Sequence, residues 1–476
     1  MPSVGLVWLR NDLRLHDNPT LHKALRDHEA VVPVVVLPER WWQPTAYGFR
    51  KMGPHRFAFL LEGLEDLARA LNARGGKLWV ERGEAAEILP RLMAELGASK
   101  INTNKEVTHE EVQEEQAVVD QVGRDALHYS WTSSLYHVQD VPFSAEQTPE
   151  VFTQFRKQVE KYASIREEAP ALDRIPYPPS APEPPALPTW ESLNLGPEPT
   201  PDRRAVWAFK GGEAAGLARL EHYFWEQQGL STYKETRNGL LGADYSSKFS
   251  PWLAWGFLSP RRIFWQVKHY EQEVVSNKST YWLVFELIWR DFFRFIALKH
   301  GRNLFLKQGL RRQPVTYANK PGWYSAWCTG TTGIPFVDAN LRELVASGFM
   351  SNRGRQNVAS FLVKDLNIDW RWGAAFFEHH LLDHDPSSNY GNWQYVAGVG
   401  NDPRQDRYFN IQLQAKRYDA DGQYVRHWLP ELVSLPDSAV QHPWTLPVAA
   451  QKAAKCQLPD DYPNPLVIPN AWKKHL

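Results

Sequence analysis

The sequence is short of cysteine, of net charge and of long uncharged runs, and each shortage removes a class of answer. Two cysteines, Cys328 and Cys456, cannot build a disulfide framework or a four-thiolate metal site. A reducing, cytoplasmic setting is the expectation. No run of about 20 apolar residues is free of charge, so no membrane-spanning helix is expected. Within three residues of Met1 the chain enters "VGLVWLR", which reads as a strand and leaves no room for a leader peptide. Lys plus Arg and Asp plus Glu number 54 each. A nucleic-acid partner would therefore have to be met by a local basic patch. The turn after the first strand, "RNDLRLHDNP", contains no glycine, so the dinucleotide fingerprint is missing. No G-x-S-x-G, HExxH or HxxEH occurs, and no cysteine stands near a histidine, which removes the common hydrolase signatures.

What is there instead is aromatic: 21 tryptophans in 476 residues, enough chain for two or three domains. The first 130 residues alternate in type. "VGLVWLR", "AVVPVVVL", "KLWVERG" and "KINTN" are strand-like. "HRFAFLLEGLEDLARALNARGG" between the second and third sets Phe57, Leu60, Leu61, Leu64, Leu67, Ala68 and Leu71 on one helical face. This pattern predicts a doubly wound parallel α/β domain over 1–135. From 136 to 205 the composition shifts, with eleven prolines between Pro170 and Pro201. That is a connector laid over the surface, neither helix nor central strand. Residues 206–476 form the second domain, helical to about Phe377 and loop-rich beyond, with serine-capped helix starts at Ser250 and Ser259.

Three stretches of that domain carry chemistry. "STYWLVFELIWRDFFRFIALKH" is apolar nearly all round, yet holds Glu286, Arg290, Asp291 and Arg294. Glu286 and Arg290 either satisfy each other at i,i+4 or line a ligand cavity. In "ADYSSKFSPW", Ser246, Ser247 and Ser250 stand beside Lys248 just ahead of a helix, an anion site or an ordinary cap. In "FMSNRGRQNVASF", Asn352, Arg353 and Arg355 form a polar cluster, either a solvated helix start or, through the two arginines, a pair of guanidinium groups for phosphate or carboxylate. Finally, "EHHLLDHDPSSNYGNWQY" places His380, Asp383 and His384 at i, i+3, i+4, which permits a metal reading. Pro386 ends that helix at once, however, and the reading left is a socket for a polar cofactor that does its own chemistry.

These motifs, with "VWLRNDLRLHDNPTL", "YKETRNGLLGADYSSKFSPWLAWGFLSPR" and "NYGNWQYVAGVGNDPRQDRYFN", stand in an order and spacing that resemble the photolyase/cryptochrome flavoproteins, and among them the DASH cryptochromes. The resemblance covers almost the whole chain. It implies an α/β antenna domain joined by the connector to a helical FAD-binding domain. FAD would be held by Tyr233, Ser246, Ser247, Lys248, Phe249 and Ser250 at its diphosphate, by Trp282, Glu286 and Arg290 on the buried helix, and by Asn352, Arg355, Asp383 and Asp385. Asn389 would face the flavin N5, where a neutral amide does not repel an anionic reduced ring. Glu286 would face the substrate bases, and Trp289, Arg353, Gln356 and Tyr395 would meet DNA. Arg261, Arg262, Arg353 and Lys416 are candidate phosphate contacts.

The implied activity is blue-light repair of cyclobutane pyrimidine dimers, preferentially in single-stranded DNA, by an electron from excited reduced FAD. Tyr395 stands where duplex-active photolyases usually carry tryptophan, which removes a broad stacking surface. The alternative is a DNA-binding photoreceptor or transcriptional regulator without turnover, which the lack of a long tail after "NAWKKHL" disfavours. No obligate protein partner and no metal are implied. Trp393 and Trp370 match the inner members of a photoreducing tryptophan chain. Tyr317 takes the outer place, and Trp323 or Trp327 could substitute if either packs on Trp370. Glu106 matches a carboxylate that holds an antenna folate, 5,10-methenyltetrahydrofolate.

Overall fold

A computed structural model describes residues 3–193, 197–404 and 407–472. Five parallel strands, β1 (Val4–Leu9), β2 (Ala30–Leu37), β3 (Trp79–Arg82), β4 (Ala98–Asn104) and β5 (Leu127–Ser130), form one sheet in the order β3-β2-β1-β4-β5. Every residue of β1 and β2 is buried, as valine-rich strands covered on both faces must be. Pro33 survives inside β2 because β3 begins to pair only at Val34, so its missing N–H costs no ladder bond on that side. β5 has no clear signal in sequence; "LHYS" is short and mostly polar.

The covering helices are α1 (Pro19–Asp27), α2 (Pro54–Asn72), α3 (Ala85–Leu96) and α4 (His109–Val122). α1 starts where Asn18 accepts from Leu21 N at 3.1 Å with Pro19 in the first turn. α2 buries Phe57, Leu60, Leu64, Leu67 and Leu71 as its period requires, and Phe59 faces the second domain, with its ring 5.8 Å from Phe257. Gly63 permits that approach, since a Cβ there would lie 1.9 Å from Phe257 Cζ.

The connector is extended through its proline-rich part and is tied to the α/β domain by Ile175 N to Arg74 O (2.8 Å) and Val31 N to Pro176 O (2.9 Å). It also contains a helix that proline content hides, α5 (Phe152–Tyr162), which buries Phe152, Phe155 and Val159. The second domain is helical well past Phe377, through Pro386–Ala397, Ile411–Tyr418 and Gln423–Trp428, so the loop-rich expectation fails there. Ser259 caps its helix as expected, accepting from Arg261 N at 3.2 Å. Ser250 does not: Phe249 occupies the cap position and Ser250 is the first helical residue.

The two domains share one apolar core and several buried polar links. Arg14 is fully buried and donates to four carbonyls, among them Gly256 O at 2.9 Å and Thr132 O at 3.1 Å. Arg261, expected at a phosphate, is instead buried in an ion pair with Asp17 across the interface. Arg262 pairs with Glu168 of the connector at 2.5 Å. Lys416 remains exposed. No helix among the described residues is long and apolar enough to cross a membrane.

Candidate functional site

The Lys278–His300 helix begins at Asn277, whose side chain accepts from Ser279 N and Thr280 N in a capping box. It runs through the middle of the second domain and carries its charges to three different places. Glu286 meets Arg237 at 2.6 Å, not Arg290. Arg290 reaches back to Ser133 O and to Leu253 O at 3.2 Å, and lies 3.9 Å from Asp385. Asp291 accepts from Leu135 N and Tyr136 N at 3.0 and 2.8 Å, and burial pushes its pKa up to about 6. The i,i+4 pairing of Glu286 with Arg290 is therefore wrong: side chains a turn apart choose partners on other elements.

Facing this helix is a cavity of about 490 Å³. It is lined by Tyr233, Ser246, Ser247, Lys248, Phe249, Ser250, Glu286, Trp289, Arg290, Asn352, Arg355, Gln356, Asp383, Asp385, Asn389, Trp393 and Tyr395. Residues spread over more than 160 positions of sequence thus meet at one hollow, as the resemblance implied. Trp282 stands beside it, stacked on Phe285 at 4.7 Å with Lys234 over its ring. Arg353 also lies outside the lining. It stacks on Tyr418 at 4.6 Å and donates to Gln356 (2.8 Å) and Asn238 (3.1 Å).

The opening of the Pro386–Ala397 helix explains the "DHDPSSN" stretch. The preceding helix, Trp370–His380, ends before Asp383, so His380, Asp383 and His384 share no helical face. Pro386 starts a helix where it was expected to end one, with Asp385 as its cap accepting from Ser387 N at 2.9 Å. Among the described residues no cluster suited to a metal ion is present. Asp383 takes both terminal nitrogens of Arg355, at 3.0 and 2.8 Å, and Arg355 is itself held by Met350 O at 2.9 Å. Asn389 donates through Nδ2 to Ala374 O at 3.0 Å, which leaves Oδ1 for a ligand.

The serine loop differs from expectation. The helix behind it spans only Ser250–Trp255, so its dipole is small. Lys248 is buried with Nζ on Ala243 O at 2.6 Å, and burial beside Arg219 drives its pKa down to about 6. Arg219 holds the loop's shape by donating to Ser247 O and Ser246 O at 3.0 Å each.

The cavity fits a large ligand with both apolar and polar parts. Trp393 Nε1, Tyr395 OH and Tyr245 OH are buried on its wall without a partner among the described residues, each a group that a polar ligand would satisfy. Arg237 is among the residues that sequence reading missed, with Tyr245 and Arg219; its signal was its position in "YKETRN", four residues after Tyr233. Burial pushes the Glu286 carboxyl up, and the Arg237 guanidinium pulls it back.

Glu106 does not present an open carboxylate. It is buried, with one oxygen taken by Asn104 Nδ2 (2.6 Å) and the other by Arg294 (3.2 Å). Each oxygen thus already has one donor, so the antenna contact that the resemblance implies would share the carboxylate with Asn104 and Arg294. A separate crevice of about 70 Å³ at the carboxyl edge of β1 and β2 is crossed by Arg10–Glu114 and Lys51–Glu110 pairs.

Of the tryptophan chain, Trp393 lies in a groove made by Gly373, where a Cβ would stand 2.1 Å from its Cη2. Trp370 is fully buried one helical turn before Gly373, with Tyr390 packed on it at 6.0 Å. Trp327 packs on Trp393 (6.4 Å), not on Trp370, and Trp323 carries Lys320 over its ring at 3.5 Å. The expected exit through either ring from Trp370 is not what the fold provides.

Comparison with known proteins agrees with this geometry. The family model "FAD binding domain of DNA photolyase" matches residues 282–475, and "DNA photolyase" matches residues 5–178. The cryptochrome DASH of Gloeobacter violaceus is 50% identical over 465 residues, 97% of this chain and 92% of the relative. The solved Synechocystis cryptochrome superposes with a TM-score of 0.95 at 48% identity, covering 100% and 99% of the two chains. A class III photolyase from Agrobacterium tumefaciens gives a TM-score of 0.86 at 28% identity, covering 100% and 96%. The cavity, its carboxylates and these likenesses together show that the chain is an FAD-binding flavoprotein that belongs to the photolyase/cryptochrome family and is most like its cryptochrome DASH members.

Proposed function

We propose that the chain repairs cyclobutane pyrimidine dimers under blue light, with single-stranded DNA as its preferred substrate. One observation carries this reading. The same cavity is lined both by Arg355, Asp383, Asp385 and Asn389 and by Glu286, Trp289, Gln356 and Tyr395. A cofactor socket and a base-sized polar and aromatic pocket therefore share one wall-to-wall space. FAD, when bound and reduced, supplies the excited electron that opens the dimer.

The chain's own residues do the rest. Arg355 and Asp383 fix each other and the cavity wall. Asn389 offers a neutral oxygen near the reduced ring. Glu286, held by Arg237, offers a carboxyl to the flipped-out bases. Trp289 is braced on its far side by Phe152, stacked at 3.6 Å and 7°, which leaves its other side for a base. Tyr395 stands edge-on to Trp289 at 6.0 Å. Arg353 and Arg417 lie over the Tyr418 ring, at 4.6 and 5.3 Å, as the local basic patch that a chain of zero net charge needs. Little charge and one narrow ring at the rim offer little energy for prying bases from a duplex, which favours single strands. A cytoplasmic setting belongs to this reading and is supported by Cys328 and Cys456 standing unpaired.

The test is repair of a dimer-bearing oligonucleotide by reduced protein under blue light, single-stranded against duplex, with dark controls. Loss of dimers only in the light supports the proposal. Tight, light-dependent DNA binding with no dimer loss would replace it with the photoreceptor reading.

A further inference from the structure

Two outward routes start at Trp393. One is the arm that the family resemblance implies, through Trp370 towards Tyr317. The other is a run of ring contacts to the surface on the opposite side of the Trp370–His380 helix. Trp327 meets Trp393 with centroids 6.4 Å apart, Tyr324 stacks on Trp327 at 6.1 Å and 15°, and Trp372 meets Tyr324 edge-on at 5.0 Å. Trp327 is fully buried, its Nε1 fixed to Val358 O at 3.1 Å, whereas Trp372 is half-buried. We propose that this second arm, Trp393 to Trp327 to Trp372 with Tyr324 as the bridge, carries the oxidising equivalent outward when the bound cofactor is photoreduced. The inference rests on the flavin cavity described above, not on DNA repair.

Electrostatics decide where a positive hole can rest. Lys307 Nζ lies 5.5 Å from the Tyr317 ring and Lys320 Nζ lies 3.5 Å from the Trp323 ring, so both rings resist a further positive charge. Burial and Asp369 also push the Tyr317 phenol up, and a phenol that holds its proton is harder to oxidise. Tyr324 is in the same position. Burial, then the neighbouring Cys328 thiol, raise its pKa, and its OH donates to Trp372 O at 3.0 Å, a carbonyl that cannot take the proton. Tyr324 is therefore a bridge and not a stop. Beyond Trp372 lies Tyr47 at 5.6 Å, but Arg371 sits 5.9 Å from that ring. Among these rings Trp372 combines contact with the chain, access to water and no cation stacked on it.

The balance is as follows. Trp393 gives one electron to the excited oxidised ring of the cofactor. Trp327 refills Trp393, and Trp372 refills Trp327 across Tyr324. Oxidised Trp372 releases its indole proton to water. An external thiol then returns a hydrogen atom to the indole nitrogen, and two thiyl radicals couple to a disulfide.

The experiment uses FAD-loaded full chain and follows long-lived oxidised tryptophan by transient absorption after a blue flash. Oxidised peptides after illumination in air are mapped in parallel by mass spectrometry. Trp370→Phe is expected to keep a long-lived signal and to leave Trp372 as the oxidised site. Trp370→Phe combined with Trp327→Phe, or with Trp372→Phe, should lose that signal. Trp372→Phe changes only a half-buried ring, so it guards against a folding failure at Trp327. If Trp370→Phe alone is as silent as the double variants, the second arm carries nothing. Repair by chemically reduced protein bypasses both arms, so its failure would sink the proposed function and leave this result standing.

Discussion

Removing the Asp383 carboxylate tests the socket most directly. Asp383 accepts two charge-assisted bonds from Arg355, and its side chain is almost fully buried while that of Arg355 is a quarter exposed. Breaking a wholly buried pair from one side costs about 3–5 kcal/mol. Arg355 keeps some access to water and its bond to Met350 O, so ~2–3 kcal/mol is the expected loss in the protein without cofactor. Asp383→Ala should therefore lower the unfolding midpoint and also leave the protein colourless, because Arg355 no longer holds its place on the cavity wall. Asp383→Asn combined with Arg355→Gln separates the two effects. The neutral pair restores much of the stability, since no buried charge is stranded, but flavin retention should stay low. The assay is the ratio of flavin to protein absorbance after gel filtration, beside thermal melts of the cofactor-free chains. Asp383→Ala with full flavin occupancy would refute the assignment of this wall, whatever its stability.

Three further changes have definite outcomes. Tyr395→Trp, which widens the stacking surface at the cavity rim, should raise repair of duplex relative to single-stranded substrate; an unchanged ratio would remove Tyr395 from the account of preference. Arg237→Gln takes away the cation that offsets burial at Glu286, so the Glu286 pKa rises further and the pH at which repair changes should move upward. A pH profile that stays in place or moves down contradicts this pairing. Gly373→Ala puts a methyl group where the Trp393 ring lies and should cost ~1–3 kcal/mol through overpacking. Flash photoreduction of the bound flavin should slow with it, and an unaltered rate would mean that Trp393 is not the inner donor.

How much of this was legible beforehand depends on the range over which the deciding forces act. The strands β1 to β4, α2 and the Ser259 cap follow from hydrophobic period and capping chemistry, which operate within a turn or two of chain. β5 and α5 were invisible because four mostly polar residues give no period, and because proline density further along masked an amphipathic helix. The individual residues of the cavity came from motif order, and the fold does gather them. Their partners were another matter. Glu286 and Arg290 looked like a pair because they are one turn apart, but a buried charge takes the best-placed opposite dipole or charge available from any element. For Arg290 that includes a carbonyl 157 residues away, and for Glu286 an arginine just past the end of the short Tyr233–Thr236 helix. Glu106 shows the same effect in its strongest form. Its carboxylate lies close beyond β4, where a ligand contact is reasonable, yet Arg294, 188 residues on, has already claimed it. Burial makes such pairings hard to break, because an ion pair formed away from water is costly to open from one side. Sequence motifs thus mark which charges enter the core of this flavoprotein, whereas the packing of one domain on the other settles which of them remain free to meet a ligand.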